Sequence, residues 1–271
     1  MKTPVIASKI KQEAVRTALK AGKILMDRYG KVLEISQKGR HSLNLVTDID
    51  KKSEHYIVQS LLKAFPNHQI LAEEGSLSKT TSPYKWLIDP LDGTTNYLHG
   101  FPFFSVSIAL EMEGEAVFGV VYAPMLRELF VAERGRGATL NGKQIQVSQE
   151  ADLSRSLLAT GFPYDIREAK RNNLDYFAAF AKKVRAIRRA GAASIDLCYV
   201  ACKRFDGFWE LRLQPWDLAA GVLAVEEAGG KVSNFSGKKL NIYHDDTVAS
   251  NGKIHAALLE TIQEVDRQSA T

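Results

Sequence analysis

The stretch Trp86-Leu87-Ile88-Asp89-Pro90-Leu91-Asp92-Gly93-Thr94-Thr95-Asn96 constrains this chain more than any other. Its apolar opening reads as a buried strand. Two carboxylates three positions apart follow, with Pro90 between them. Proline brings no backbone N–H, so the strand cannot continue there as an ordinary ladder. Gly93 permits a sharp turn and a close backbone approach. Thr94 and Thr95 suit the first turn of a helix, where free N–H groups face outward. One turn therefore offers two oxygen ligands for hard cations beside a donor nest for an anion, the combination that phosphoryl chemistry needs.

The rest of the chain reads as alternating helices and strands. Ile6, Ile10, Ala14, Ala18, Leu19 and Leu25 recur at helical spacing over residues 5–29, with Gly30 as a stop. Residues 36–42 have turn composition. Thr47-Asp48 opens a second helix with Ile49, Ile57, Leu61, Leu62 and Phe65 on its apolar face, and Pro66 ends it. A short strand at 68–72 runs into Glu73-Glu74-Gly75, and a polar loop at 76–83 leads to the opening strand. Strands are predicted at 103–110, 116–122 and 129–132, and Asn141-Gly142 marks a further hairpin. The texture shifts near residue 148. Strands at 157–160, 185–187, 207–211, 231–234 and 248–249 then alternate with helices at 171–183, 192–202, 216–228 and from 253. A chain of 271 residues can bury this much structure in one compact body. The expectation is an N-terminal α+β unit, 1–148, and a C-terminal α/β unit, 149–271, without a flexible linker.

Met1-Lys2-Thr3-Pro4 lacks the apolar core of a signal peptide, and no apolar run approaches the roughly 20 residues that span a bilayer. Cys198 and Cys202 lie four apart in a helical pattern and read as reduced thiols. A cytoplasmic location is expected. The net charge of +5 suits an anionic small substrate, and equally a weak contact with nucleic acid or polymerase. Lys182, Lys183, Arg185, Arg188 and Arg189 form the densest basic cluster, which by itself is an ordinary solvated or subunit-contact face.

Four acids fall at the ends of elements: Glu73, Asp89, Asp92 and Asp217. In an α/β protein such ends tend to meet at one edge, where mutual repulsion raises their pKa values unless cations intervene. The six histidines are scattered and no His or Cys pair has zinc spacing. An all-oxygen site favours Mg²⁺, Mn²⁺ or Ca²⁺, and Mg²⁺ fits best beside a phosphate. Four carboxylates with a phosphate dianion carry about −6, which two or three Mg²⁺ ions nearly cancel. There is no P-loop, no G-x-S-x-G elbow, and Gly135-Arg136-Gly137 reads as a pair of turn glycines.

These residues carry a resemblance. Trp86–Thr95 is similar to the first signature of the inositol monophosphatase family. Trp216-Asp217-Leu218-Ala219-Ala220-Gly221, through Glu227-Ala228-Gly229-Gly230, is similar to its second. The likeness extends to Glu73-Glu74, Thr47-Asp48 and Gly191-Ala192-Ala193, and the stretches 188–197 and 214–217 most resemble the bacterial SuhB-like branch. The resemblance implies a layered αβαβα sandwich of the sugar-phosphatase type, with mixed and antiparallel sheets. It implies a Mg²⁺-dependent, lithium-sensitive phosphomonoesterase acting on a small phosphorylated polyol, inositol 1-phosphate first, in a homodimer. Glu73, Asp89 and the Leu91 carbonyl would hold one ion, Asp89, Asp92 and Asp217 a second, and Glu73 a looser third. Gly93 and Thr94 N–H groups would bind phosphate, and Thr94, with Asp48 behind it and Glu73 nearby, would orient the attacking water. Asp92, Ala193 and Glu210 would meet substrate hydroxyls, with Arg188 and Lys38 as further anion contacts. Gln214 stands where animal members have histidine and Phe162 where they have serine, so ring selectivity is expected to depart from theirs. Related branches imply fructose 1,6-bisphosphatase or 3′-nucleotidase activity as alternatives. The SuhB-like branch adds a transcription-antitermination role with RNA polymerase and Nus-type partners.

Overall fold

A computed structural model describes residues 6–31, 35–37, 45–78 and 80–269. Helix α1 (Ser8–Arg28) turns its alanine-rich stripe, including Ala14, Ala18 and Ala21, inward, and Gly30 takes the positive φ expected just past a helix end. A two-stranded antiparallel ribbon, β1 (Ile35–Gln37) and β2 (Leu45–Thr47), leads to α2 (Asp48–Ala64). The turn composition read at 36–42 thus begins on a strand, and residues 38–44 lie outside the described residues, Lys38 with them.

The first large sheet takes β3 (Gln69–Ala72), β4 (Leu77–Ser78), β5 (Tyr84–Asp92), β6 (Ser105–Met112), β7 (Glu115–Ala123), β8 (Glu128–Glu133), β9 (Gly137–Leu140) and β10 (Lys143–Gln144). Its order is β10-β9-β8-β7-β6-β5-β3-β4; only β3 and β5 run parallel, and the other neighbours are antiparallel. The one-turn helix α3 (Thr94–Leu98) follows β5. The second sheet is β12-β11-β13-β15-β14, built from β11 (Leu157–Thr160), β12 (Ala186–Arg188), β13 (Gly207–Glu210), β14 (Lys231–Asn234) and β15 (Thr247–Ser250). Its helices are α4 (Leu174–Ala181), α5 (Ala193–Ala201), α6 (Pro215–Glu227) and α7 (His255–Ser269). Helix α4 starts later than its sequence pattern predicts because Asn173 adopts a left-handed conformation there. Its side chain is held by Gly161 O, at 2.5 Å, and by the Trp209 indole N–H, which donates at 2.7 Å.

The layers are α1/α2, the eight-stranded sheet, α5/α6, the five-stranded sheet, and α4/α7: the αβαβα sandwich. Three apolar cores separate them. Leu25, Ile57, Trp86 and Ile108 fill the first, and Tyr176, Phe180, Trp209 and Leu258 the last. The middle core joins Leu87, Val121 and Phe130 of the large sheet to Leu197, Leu218 and Phe208 from the later half of the chain. Helices α5 and α6 are buried on nearly all sides, and so lack amphipathic stripes.

Close approach in this middle layer depends on missing side chains. A Cβ on Gly221 would stand 2.6 Å from the Leu197 Cβ, and one on Gly119 2.9 Å from the Ala220 backbone. Gly221→Ala is expected to lower the urea midpoint, by about 1–3 kcal/mol of overpacking, which outweighs the ~1 kcal/mol that alanine gains over glycine in a helix. An unchanged midpoint would mean that α5 and α6 can part at no cost.

Candidate active site

The site begins with an irregularity in β5. In the pairing with β6, Asp89 lies opposite Ser107 and Asp92 opposite Ser105, so three steps on one strand match two on the other. Side chains three apart on a regular strand point to opposite faces. The extra residue of this bulge, at Pro90-Leu91, returns Asp92 to the face of Asp89. Ser53 of α2 donates to the Pro90 carbonyl at 2.9 Å, and the Leu91 N–H donates to Asp89 Oδ1 at 2.9 Å. Proline thus sits in β5 where the ladder is already broken.

Glu73 arrives from the neighbouring strand. Ala72 pairs with Ile88 in the parallel β3–β5 ladder, and the Glu73 N–H continues it to Ile88 O at 3.1 Å, which sets Glu73 beside Asp89. The turn after it is shaped by Glu54, a buried acid of α2 that accepts from the N–H groups of Glu74 at 2.6 Å and Ser76 at 3.1 Å. Asp217 comes from the far half of the chain, three residues after the start of α6 is set by Gln214. It completes a capping box in which its Oδ2 accepts the Gln214 N–H at 2.8 Å, and Pro215 fills the first helical position.

Glu73, Asp92 and Asp217 line one cavity of about 510 Å³, and Asp89 is buried against them. Burial raises Asp89 well above the usual carboxylate range, and Glu73, Asp92 and Asp217 raise it further. Asp217 is raised in the same way, by burial, Glu73 and Asp92. Asp92 is pushed up to about 6 by burial, against the pull of Ser194, whose N–H and hydroxyl donate to its Oδ2 at 2.8 and 2.6 Å. Among the described residues, no three acids, histidines or cysteines stand close enough to enclose one ion. The acids are electrostatic neighbours. An oxygen-only donor group of this charge fits hard divalent cations.

Gly93 ends β5 at φ 93°, and a Cβ there would crowd Phe103 O at 3.0 Å and Gly191 O at 3.2 Å. Only glycine satisfies both the conformation and the clearance. Asn96 clamps the same seam, its Nδ2 donating to Phe103 O at 2.7 Å and Ala190 O at 2.8 Å. Gly93, Thr94 and Thr95 line the cavity on one side, and Gly191, Ala192 and Ala193 on another.

Two sequence assignments are corrected. Asp48 is not behind Thr94. Thr47 is the N-cap of α2, so Asp48 takes the first helical position, where its half-buried carboxylate pairs with Lys52 at 2.8 Å and lies 4.0 Å from Arg28. The buried acid at that place is Asp50, two residues on. Its Oδ2 accepts from the Thr47 N–H at 2.9 Å and from the Thr47 hydroxyl, and its Oδ1 accepts the Thr94 hydroxyl at 3.0 Å. The T-x-x-D spacing of a capping box carried this signal in the sequence. Arg188 is likewise not at the cavity. It is exposed on the edge strand β12, donating to its neighbour's carbonyl, whereas Arg189 lines the cavity.

Glu210 ends β13 and also lines the cavity. Burial lifts its pKa to about 8, with Arg189 pulling it down and Asp92 pushing it up. Its carboxyl lies where a Cβ on Gly161 would fall, 2.0 Å away, so Gly161 leaves it room. Phe162, Gln214 and the half-exposed Tyr164 complete the rim. Asp196, buried behind Ser194 with Oδ1 lacking a hydrogen-bond partner among the described residues, is raised well above its ordinary value by burial and Glu210. Sequence reading singled out neither Asp196 nor Ser194, since a helix-interior polar residue carries no signal until its neighbours are known.

Both cysteines are free thiols and, of the described helices, none is long and apolar enough to cross a membrane. The family model described as the inositol monophosphatase family matches residues 7–267. The Nus factor SuhB of Pseudomonas aeruginosa is 45% identical over 257 residues, covering 92% of this chain and 94% of that protein. The inositol-1-monophosphatase of a Synechocystis species is 44% identical over 250 residues, covering 92% and 87%. Among solved structures, the inositol monophosphatase of an Anabaena (Nostoc) species is 42% identical with a TM-score of 0.85, covering 96% of this chain and 97% of that one.

Proposed function

The chain belongs to the inositol monophosphatase family, and on that premise we propose that it is a Mg²⁺-dependent phosphomonoesterase that hydrolyses inositol 1-phosphate to inositol and phosphate. The observation that carries this reading is the meeting of Glu73, Asp92 and Asp217 at one cavity, with Asp89 buried against them and Thr94, bonded to Asp50, on the same wall. Glu73, Asp89, the Leu91 carbonyl, Asp92 and Asp217 would hold two or three ions. Bound there, Mg²⁺ supplies neutralisation of the phosphoryl charge and acidification of water.

The chain's own groups then have distinct tasks. Free N–H groups of Gly93 and Thr94 receive the phosphoryl oxygens. The Thr94 hydroxyl donates its hydrogen bond to Asp50 Oδ1 at 3.0 Å, with Leu91 O also in reach at 3.1 Å, so its lone pairs are left to accept from the attacking water. Asp50 is raised above the ordinary carboxylate range, by burial first, which makes it a better proton acceptor than a solvated aspartate. Attack in line releases the alkoxide, and water beside Asp217 returns the proton, without a covalent enzyme intermediate. Asp92, Ala193 and Glu210 address ring hydroxyls. With its pKa at about 8, Glu210 is mainly protonated at neutral pH and can donate as well as accept. In this reading the units 1–148 and 149–271 work as one body, since neither carries all four acids.

The test is kcat/KM for inositol 1-phosphate, fructose 1,6-bisphosphate and adenosine 3′,5′-bisphosphate across a Mg²⁺ titration. Inositol 1-phosphate should be turned over only with Mg²⁺, and lithium should inhibit. Activity fully retained after exhaustive chelation would exclude the mechanism. The SuhB relatives favour a second reading, contact with transcription partners from a homodimeric, cytoplasmic protein. Lys182, Arg185 and Arg188 are exposed, while Lys183 is engaged by Glu264. Charge reversal at the three exposed positions is expected to reduce retention of RNA polymerase and Nus-type factors while phosphatase activity stays intact; full retention would remove this surface from that role.

A further inference from the structure

The cavity wall carries two arginines, and they differ in one respect. Arg212 is committed: its guanidinium is held by the Asp165 carboxylate and the Arg171 carbonyl, and its N–H donates to Asp246 Oδ1 at 3.0 Å. Arg189 has no hydrogen bond or ion pair with any described residue. Its guanidinium folds back over Gly191, where an added Cβ would meet Nη1 at 2.7 Å. Gly191 has φ +88°, so glycine there serves the turn and also makes space for the arginine. Arg189, exposed to solvent, thus lies on the cavity wall on the side of Glu210 and Asp196, whose charge it stabilises. It is not among the principal influences on Asp89 or Asp217 at the acidic end.

We propose that Arg189 forms a second anion subsite, and that beside inositol 1-phosphate this enzyme takes phosphate monoesters whose alcohol part carries a carboxylate. The proposal rests on the phosphomonoesterase reading above and adds a class of alcohol. A planar guanidinium matches the two oxygens of a carboxylate with paired N–H donors. Arg189 keeps its charge available because the two nearby carboxyls, Glu210 and Asp196, are both held toward their neutral forms by burial. The cavity, at about 510 Å³, is of the size that takes extended small ligands. The reaction itself is unchanged. Water's oxygen forms the new P–O bond at the acidic end, the ester P–O bond breaks, and the leaving alkoxide takes a proton. The second anion stays on the alcohol, bound at Arg189.

A matched pair of substrates tests this: α-D-glucose 1-phosphate and α-D-glucuronic acid 1-phosphate, which differ only by a hydroxymethyl group and a carboxylate. The wild-type protein is expected to favour the glucuronic acid ester by about tenfold in kcat/KM, as a charge-assisted contact provides. Arg189→Gln should erase the preference by raising KM for the glucuronic acid ester well beyond any change for the glucose ester, and Arg189→Lys should keep part of it. Fructose 1,6-bisphosphate, run in parallel, separates phosphate from carboxylate recognition: loss of its advantage in Arg189→Gln assigns the same subsite to phosphate. Binding of free glucuronate against free glucose, by calorimetry on wild type and Arg189→Gln, reads the subsite without turnover. No wild-type preference in either measurement, or an equal fall for both esters in Arg189→Gln, would overturn the proposal. A wild-type protein that binds glucuronate through Arg189 yet hydrolyses no ester would instead count against the phosphomonoesterase reading alone.

Discussion

Asp89→Asn is expected to lower kcat at saturating Mg²⁺ by at least ~10³-fold, about 4 kcal/mol of barrier, while the metal-free protein becomes no less stable. Asparagine keeps an oxygen to accept the Leu91 N–H, now at 2.9 Å from Asp89 Oδ1. It removes a buried carboxyl that burial and three acidic neighbours all disfavour as a charge. The pH dependence has a definite sign. Asp92 is raised from 3.8 to about 6 and Glu210 from 4.5 to about 8, so the folded state holds protons that the unfolded chain has released. Stability of the metal-free protein must therefore be full below pH ~4 as far as these two groups count, and fall as pH rises through about 6 and then 8. Added Mg²⁺ should reverse the loss at pH 8, since ligation requires the deprotonated acids. Thermal unfolding in chelator, then in Mg²⁺, at pH 5 and pH 8 checks both statements. An Asp89→Asn protein with near-normal kcat would remove Asp89 from the site.

Asp50 and Asp48 should separate just as sharply, although they lie two residues apart on α2. Asp50→Ala removes the acceptor of the Thr94 hydroxyl and half of the capping box with Thr47. Loss of kcat by ~10²–10³-fold is expected, the range for a positioned proton acceptor, together with ~1–2 kcal/mol of stability for the broken cap. Asp50→Asn retains the shape and most of the stability but not the proton affinity, so it should lose activity with little change in unfolding midpoint. Asp48→Ala removes a partner of Lys52 whose own side chain is largely exposed, and kcat should stay within about twofold because surface pairs contribute little. The reverse pattern, with Asp48→Ala inactive and Asp50→Ala active, would return the role to Asp48.

Both corrections have the same origin. Asp48 beside Asp50, and Arg188 beside Arg189, are pairs in which residue type says nothing about direction. On a helix, one or two positions turn a side chain through 100 or 200°; on a strand, one position moves it to the opposite face. The capping box could have settled the first pair from sequence, because T-x-x-D places Asp50 against Thr47 whatever the surroundings. Nothing local could have settled the second, since Arg189 is directed by the turn at Gly191.

What the chain determined by itself is nonetheless large. The order of the main helices and strands, the apolar strand that opens at Trp86, the helix starts near Thr47 and Trp216, and the four acids at element ends follow from periodicity, proline and capping chemistry. These are local effects, acting over a few residues. The tertiary structure decided three matters that no local pattern carries. It set the β5–β6 register, whose bulge brings Asp89 and Asp92 onto one face. It packed α5 and α6 between the sheets, which brings Ser194 and Asp217 to acids more than a hundred residues earlier in the chain. It also determined which carboxyls are buried, and so which are neutral. Register and burial are properties of contacts between distant segments, and their free energies appear only when those segments meet.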